Sequence, residues 1–423
     1  MSETALPGRW SRRQGHAGGI PIWRLAWRNL WRNPRRTWLT SGSIGFAVWL
    51  LVFAMSMQDG SFEVMIDNAA QLLSGHVQLQ HPGFHDDPRL EYRLEGVEEL
   101  IEQVHGLPHV TAVLPRLSSF ALVSVGERGY GAQIMGVDPR REAAASSLPT
   151  RVAEGRYPKA PGEAFMGEIL ARNLGLVVGD EVVLLGAALQ GGVAAAVAEV
   201  VGTFATGQVE LDRSLLQIHI DDFRAAWNLG PEDAHLLVIL VDRAFRSEVV
   251  ADALRTTDHA ALDWRALMPE AEQTIAIKRL STQLFFALVA VIVGFSVVNT
   301  FMMTVFERTR EFGMLMALGM RHGAIVRQLC LEAFWLATLG VAVGLTLAGV
   351  LVGMLAVTGM PLPADAAEML ARYNMPDRMY PAFSVWAAAV ASFVMYGGTQ
   401  LAVLVPALRV RRLRPVEALR ARE

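Results

Sequence analysis

Two long apolar runs separated by a short basic segment limit this chain more than any other feature. Leu284–Phe306 is almost wholly apolar, and so is Cys330–Val357. Each exceeds the ~20 residues that a helix needs to cross ~30 Å of hydrocarbon. Two further runs of spanning length, Trp38–Met57 and Ser384–Leu408, lie nearer the ends of the chain. Between Phe306 and Cys330 sit Arg308, Arg310, Arg321 and Arg327, and short loops bearing arginine stay on the cytoplasmic side. Four spans with both termini inside are expected.

Composition and charge order the remainder. At 52% hydrophobic residues and a mean hydropathy of +0.31 over 423 residues, the chain is too apolar for an ordinary soluble protein. It is also too polar to lie wholly in a membrane. The net charge of −3 hides an asymmetry: Gln58–Gln283 carries 18 basic and 32 acidic residues, whereas 8 arginines and one acid precede Trp38. Six arginines and two acids follow Leu408. Arginine-rich flanks stay inside, while a large domain is translocated largely whatever its charge. Gln58–Gln283 is therefore expected outside, and the basic ends are explained by topology rather than by nucleic acid.

The single cysteine, Cys330, begins a span, so the outer domain has no disulfide and must hold together by its own core. The only two lysines, Lys159 and Lys278, lie in no GxxxxGK[ST] context, so these 423 residues contain no Walker A loop. No HExxH, GxSxG or Cys/His cluster is present either. His76, His81 and His85 with Asp86 and Asp87 are the nearest approach to a metal set. A strand over His76–Gln80 would point His76 and His81 to opposite faces, and Pro82-Gly83 reads as a turn. No metal site is expected.

Taken in order, the chain opens with a basic segment, 1–37. Met1–Gly19 is polar and expected to be disordered, and a short helix to Trp31 follows. That helix sets Ile22/Trp23, Ala26/Trp27 and Leu30/Trp31 on one face and Arg24, Arg28 and Arg32 on the other, as in a helix lying in a membrane interface. The first span, 38–57, is too long and too late for a cleavable signal peptide, and no A-x-A site follows. The outer domain, 58–283, begins with an amphipathic helix over Asp59–Leu73. Strands are expected at His76–Gln80, Val110–Val125, Tyr130–Val137, Ala234–Val241 and Leu262–Leu267, with helices at Gly96–His105 and Arg246–Leu254. Two βαβ-like halves flanking an insertion indicate a split ferredoxin-like module plus a β-rich part. Val182–Phe204 is apolar, but Gly191-Gly192 interrupts it among β-branched residues, so a hairpin is expected rather than a fifth span. Glu270–Ser281 reads as a helix descending to the second span, 284–306. A cytoplasmic segment (307–329), a third span (330–357), an outer loop (358–383) with four prolines, a fourth span (384–408) and a tail (409–423) complete the chain. The fold class is an α-helical membrane protein of four transmembrane helices with a large α+β extracytoplasmic domain.

Within the third span, Gly349 and Gly353 form a GxxxG pair, a candidate for close helix packing inside the subunit or between two copies. Glu332 is the one acid inside an apolar span and is within reach of Arg327. In the segment before it, Phe312, Leu315, Met316 and Met320 recur at helical spacing, with Gly313, Gly319 and Gly323 interspersed. This suits either a docking helix for a cytoplasmic partner or a basic loop that only sets topology.

The residues ERTREFGMLMALGMRHGAIVRQLCLEA, from Glu307 to Ala333, resemble the segment after the second span in permeases of the MacB/LolE/FtsX type. Ala26–Leu30 with Arg35-Arg36-Thr37, Gly167–Asp180 and Pro406–Leu419 resemble other parts of that family, in its order. The resemblance implies the membrane subunit of an ABC transporter, multi-pass in the inner membrane with its large domain in the periplasm. It also implies two copies of a separate ATPase that binds ATP and magnesium, and no cofactor or catalytic residue in this chain. A second permease chain, as homodimer or heterodimer, and a periplasmic carrier or adaptor protein are the other implied partners. Ser74–Val77, Phe204–Gly207 and Leu211-Asp212 look most like the lipoprotein-releasing LolC/LolE branch.

On that basis Glu307–Met320 is expected to dock on the ATPase, with Phe312, Met314, Leu315 and Leu318 as apolar contacts, Arg308, Arg310 and Glu311 as a polar rim, and Gly313 and Gly319 allowing close approach. Extraction of lipid-anchored proteins also requires an apolar refuge open to membrane lipid. Met55, Met57, Phe62, Met65 and Ile66 near the end of the first span, with Ile275, Leu284, Phe285, Leu288 and Ile292 on the descending helix and second span, are the candidate lining. Efflux, or relay of motion to a periplasmic partner without transport, is the alternative.

Overall fold

The computed structural model describes residues 22–256, 258–365 and 378–411. The expected disorder of Met1–Gly19, much of the outer loop, and the tail beyond Arg411 lie outside the described residues. Two compact units are formed: Met1–Ser56 with Thr282–Met354 and Phe383–Glu423, and Met57–Ser281 with Leu355–Ala382.

The first unit is helical. α1 (Ile22–Leu30) precedes α2 (Pro34–Ala69), and α10 (Pro269–Glu307), α11 (Thr309–Ala317), α12 (His322–Thr358) and α13 (Val385–Arg411) follow the β-rich part of the chain. Four of these helices are long and apolar enough to cross a membrane: Pro34–Ser74, Pro269–Glu307, His322–Thr358 and Val385–Val410. The third therefore starts before the apolar run that marks it in the sequence. A helix whose amide groups must pair internally in hydrocarbon loses nothing by continuing past it. Val48, Leu51, Val297, Phe301, Ile325, Leu329 and Val403 are among the residues of its core.

Glycines decide how closely α2 and α12 approach, but not the pair singled out by sequence. A Cβ on Gly344 would lie 2.5 Å from the Gly45 carbonyl oxygen, and one on Gly340 would lie 2.7 Å from that of Ser41. Nothing lies within 4 Å of the corresponding positions at Gly349 and Gly353. The tight crossing inside the subunit thus belongs to the earlier GxxxG, because only there does the neighbouring backbone arrive.

The second unit contains the expected split module. Strands β1 (Val77–Gln80), β2 (Val110–Val125), β9 (Leu236–Val241) and β10 (Ala260–Asp263) run in the order β10-β1-β9-β2, all neighbours antiparallel. Helices α3 (Val97–His105) and α8 (Ser247–Leu254) make the two crossovers. This is the ferredoxin-like order with an insertion between its second and third strands. β9 reads LLVILV and is buried almost throughout, as a central strand must be.

The insertion closes on itself. The second half of β2, with β3 (Arg128–Val137), β5 (Glu163–Gly167), β6 (Glu181–Ala187), β7 (Val193–Phe204) and β8 (Leu215–His219), pairs around the circuit β2-β3-β8-β5-β7-β6-β2. β4 (Val152–Gly155) adds to β7. Alternation fills the interior: Val182 and Leu184 are buried while Val183 and Leu185 face out. Trp227, on α7 (Ile220–Trp227), stacks on Phe223 in the same core. Val182–Phe204 is the expected hairpin, turning at Gly191 with φ 80°. Closure removes the sheet edges that an exposed insertion would otherwise present. α4 (Pro139–Ala145), α5 (Glu168–Leu174) and α6 (Val209–Ser214) are the remaining helices of the insertion.

One expected strand is shorter than the pattern indicated. After Asp263 the chain turns into α9 (Trp264–Leu267), because the Asp263 carboxylate accepts from the Ala266 amide at 3.3 Å and caps the helix.

Candidate functional site

The candidate coupling segment between α10 and α12 is built around α11. It follows α10 after Arg308 alone, and it ends where Gly319, at φ 93°, reverses the chain. The amide of Gly319 donates to the Met316 carbonyl at 3.0 Å, and that of Met320 to the Leu315 carbonyl at 3.0 Å. This double closure needs a left-handed residue after the helix, which glycine supplies without strain. Phe312, Gly313 and Met316 are buried in the helical core. Arg310, Met314 and Leu318 face outward, Leu318 at 85% exposure. Of the four expected apolar contacts, then, Phe312 is core and Leu315 is half-buried, while Met314 and Leu318 remain accessible.

The two acids of the segment, Glu307 and Glu311, turn toward the amino-terminal helices. Arg32 donates to both carboxylate oxygens of Glu311, at 3.1 and 2.9 Å, and Arg36 donates to Glu307 at 3.1 Å. Arg36 also bonds the Thr304 hydroxyl. Arg308 bridges inward, at 3.0 Å to Glu311 and 3.2 Å to Glu332. Asn29 completes the site by donating to Glu332 at 2.7 Å, with Gln328 at 3.3 Å. The Arg32 hydrogen bonds hold the Glu311 carboxyl below its usual range, with Arg308 adding to the effect. A cavity of about 260 Å³ opens among Asn29, Arg32, Arg36, Thr304, Arg308 and Glu332.

Glu332 does not pair with Arg327, as proximity in sequence suggested. Its side chain is 5% exposed and faces Arg308 and Asn29, since a carboxylate buried in a helical bundle needs partners from the facing helices. Asn29, Arg32 and Arg36 are site residues that pattern reasoning did not assign. The available signal was a matched spacing: Arg32 and Arg36 are four apart, as are Glu307 and Glu311.

The expected lipid-refuge residues divide. Phe62, Ile66 and Ile275 are packed with Ala244 and Trp264, with Met65 against them. Met55 packs on the helical core and Met57 is half-buried. Leu284, Phe285, Leu288 and Ile292 form an outward-facing row on α10. Near the candidate metal set, His76 Nε2 lies 2.8 Å from Asp67, and the Val241 amide donates to His76 Nδ1 at 3.3 Å.

A four-helix membrane permease carrying a ferredoxin-like module with an inserted barrel is thus the class that fold and site define. A family model for the FtsX-like permease C-terminal region matches residues 284–415, and one for the MacB-like periplasmic core domain matches 37–257. The chain belongs to this family of ABC transporter permeases. It is 23% identical to the "Lipoprotein-releasing system transmembrane protein LolC" of Neisseria meningitidis serogroup B, over 91% of this chain and 94% of the relative. It is 25% identical to the "Pyoverdine export ATP-binding/permease protein PvdT" of Pseudomonas syringae pv. tomato, over 93% of this chain but 58% of that longer relative. Among solved structures, the periplasmic region of MacB from Actinobacillus actinomycetemcomitans aligns with 47% of this chain and 94% of its own length. The sequence identity is 12% and the TM-score 0.34.

Proposed function

We propose that this chain is a non-catalytic permease subunit of the inner membrane that couples ATP hydrolysis by a separate ATPase to extraction of lipoproteins or lipids from the outer leaflet. The observation that carries the reading is α11: a short helix between two spans, braced from behind by ion pairs and presenting Arg310, Met314 and Leu318 outward. A helix braced in this way passes on a push from its partner instead of deforming. The match to a lipoprotein-releasing relative along nearly its full length supports the substrate class. The exposed α10 row, Leu284, Phe285, Leu288 and Ile292, is the candidate path for acyl chains. Their burial is worth ~0.8 kcal/mol per CH₂, on the order of 10 kcal/mol for a long chain.

Export of a small molecule is the second reading, favoured by the similarity to PvdT over 93% of the chain. The deciding experiment is purification of the chain with its ATPase, then assay of ATP turnover with candidate substrates. Stimulation by a lipoprotein and loss of the co-purified ATPase in Met314→Asp and Leu318→Asp support the proposal. Retention of the ATPase and of full turnover in both variants rejects α11 as the docking element. Stimulation by small molecules alone favours export.

A further inference from the structure

The arginines around α1 fall into two sets. Arg32 and Arg36 are occupied by Glu311 and Glu307. Arg24, Arg28 and Arg35 are exposed and make no ion pair with any of the described residues. Beside them runs a row of exposed indoles: Trp23 and Trp27 on α1, Trp31 in the turn that follows it, and Trp38 on the first turns of α2. Their rings meet edge to face, Trp27–Trp31 at 5.9 Å and Trp31–Trp38 at 6.2 Å, and Trp27 leans on Trp335 of α12 at 5.1 Å. The opposite side of α1, Ala26 and Leu30, is buried, so the helix cannot roll to hide these rings.

We infer that this face binds the headgroups of anionic phospholipids in the cytoplasmic leaflet. Indoles prefer the headgroup level, where the ring is in apolar surroundings and its N–H reaches water. Guanidinium groups set at the same level, with no carboxylate to neutralise them, complement a phosphodiester and a negatively charged surface. Arg24 already lies over the Trp23 ring at 5.2 Å, which leaves its edge free to donate. The inference requires that the helices span a bilayer, and it is independent of what the complex transports.

The test uses the chain purified with its ATPase and reconstituted in nanodiscs of phosphatidylcholine mixed with phosphatidylglycerol. After mild detergent extraction, native mass spectrometry counts each retained lipid. Enrichment of phosphatidylglycerol over its input fraction is expected, falling by roughly fivefold for each arginine removed in the series Arg24→Gln, Arg28→Gln and Arg35→Gln. The triple lysine variant keeps the enrichment, because the charge remains, and this separates lost binding from lost folding. Arg213→Gln, at an exposed arginine of the outer domain, leaves it unchanged. No enrichment in the wild type, or undiminished enrichment in the triple glutamine variant, overturns the inference.

Discussion

Glu332, buried in α12, accepts a hydrogen bond from Asn29 of α1 at 2.7 Å, across 303 positions of sequence. The same carboxylate receives Arg308 at the start of the coupling segment. One buried acid therefore ties together α1, the residue that leads into α11, and α12. Removing the carboxylate leaves Asn29 without its acceptor and Arg308 with Glu311 alone, at a cost of about 1–3 kcal/mol. Glu332→Ala is expected to lower the thermal midpoint of the detergent-solubilised complex by several degrees. Asn29→Ala removes one charge-assisted hydrogen bond and costs about 2 kcal/mol. Equal midpoints in wild type and Glu332→Ala would mean that the carboxylate carries no structural load.

The exposed pair Arg32–Glu311, by contrast, contributes little to stability, about 0–1 kcal/mol. If Arg32 braces α11 as proposed, Arg32→Gln should leave the midpoint nearly unchanged but weaken the stimulation of ATP turnover by substrate. Parallel melting curves and turnover assays distinguish bracing from simple stabilisation.

The crossing of α2 and α12 has no room at Gly344, where a Cβ would meet the Gly45 carbonyl and Val48. Gly344→Val is expected to destabilise by about 1–3 kcal/mol through overpacking. Gly353→Val, at an open position, should be tolerated within the single subunit. If Gly353→Val instead dissociates a complex that holds two copies of the chain, the later GxxxG is a contact between copies.

Arg116 and Glu142 form a bidentate pair, each side chain 1% exposed, at 2.6 and 2.9 Å. Arg116 also donates to the Leu73 carbonyl, where α2 gives way to β1. Glu142→Gln should destabilise by about 3 kcal/mol. The double change Arg116→Met with Glu142→Leu should recover much of that loss, which denaturant titration of the three variants will show.

His235 gives the outer domain an acid limit. It is buried against Phe84, accepts from the Ser118 amide at 2.9 Å, and burial drives its pKa down to about 4. In the unfolded chain the imidazole titrates near 6.5. The unfolded state therefore binds the extra proton between these values, and stability present above pH ~6.5 is lost as pH falls toward 4, on the order of 3 kcal/mol in all. His235→Gln should flatten the dependence of the melting temperature on pH in that window. An unchanged slope would assign it to other groups.

Topology is open to a direct check. In a Cys330→Ser background, a cysteine at the exposed Gln208 should react with a membrane-impermeant maleimide added outside, and one at Arg321 should not. Outside labelling at Arg321 would invert the arrangement.

What the sequence determined by itself was set by local physics. Apolar length marks a span, arginine marks its inner flank, and short runs rich in β-formers mark β2, β6 and β9. Gly191 marks a turn because only a residue without Cβ adopts its backbone angles freely, whereas Gly319, expected to allow close approach, proved to end α11. These signals lie within a few residues of the structure they dictate, so the four helices, the split ferredoxin order and the hairpin at Val182–Phe204 were legible in advance. The tertiary structure decided the pairings. Gly340 and Gly344 rather than Gly349 and Gly353 take the helix crossing, because the facing backbone of α2 is what tests a small residue. The insertion closes into a barrel because β6 pairs with β2, which lies more than fifty residues earlier in the chain. Glu332 chooses Asn29 and Arg308 over Arg327 because a buried carboxylate takes its partners from whichever helices surround it, and helical periodicity carries no record of which those will be.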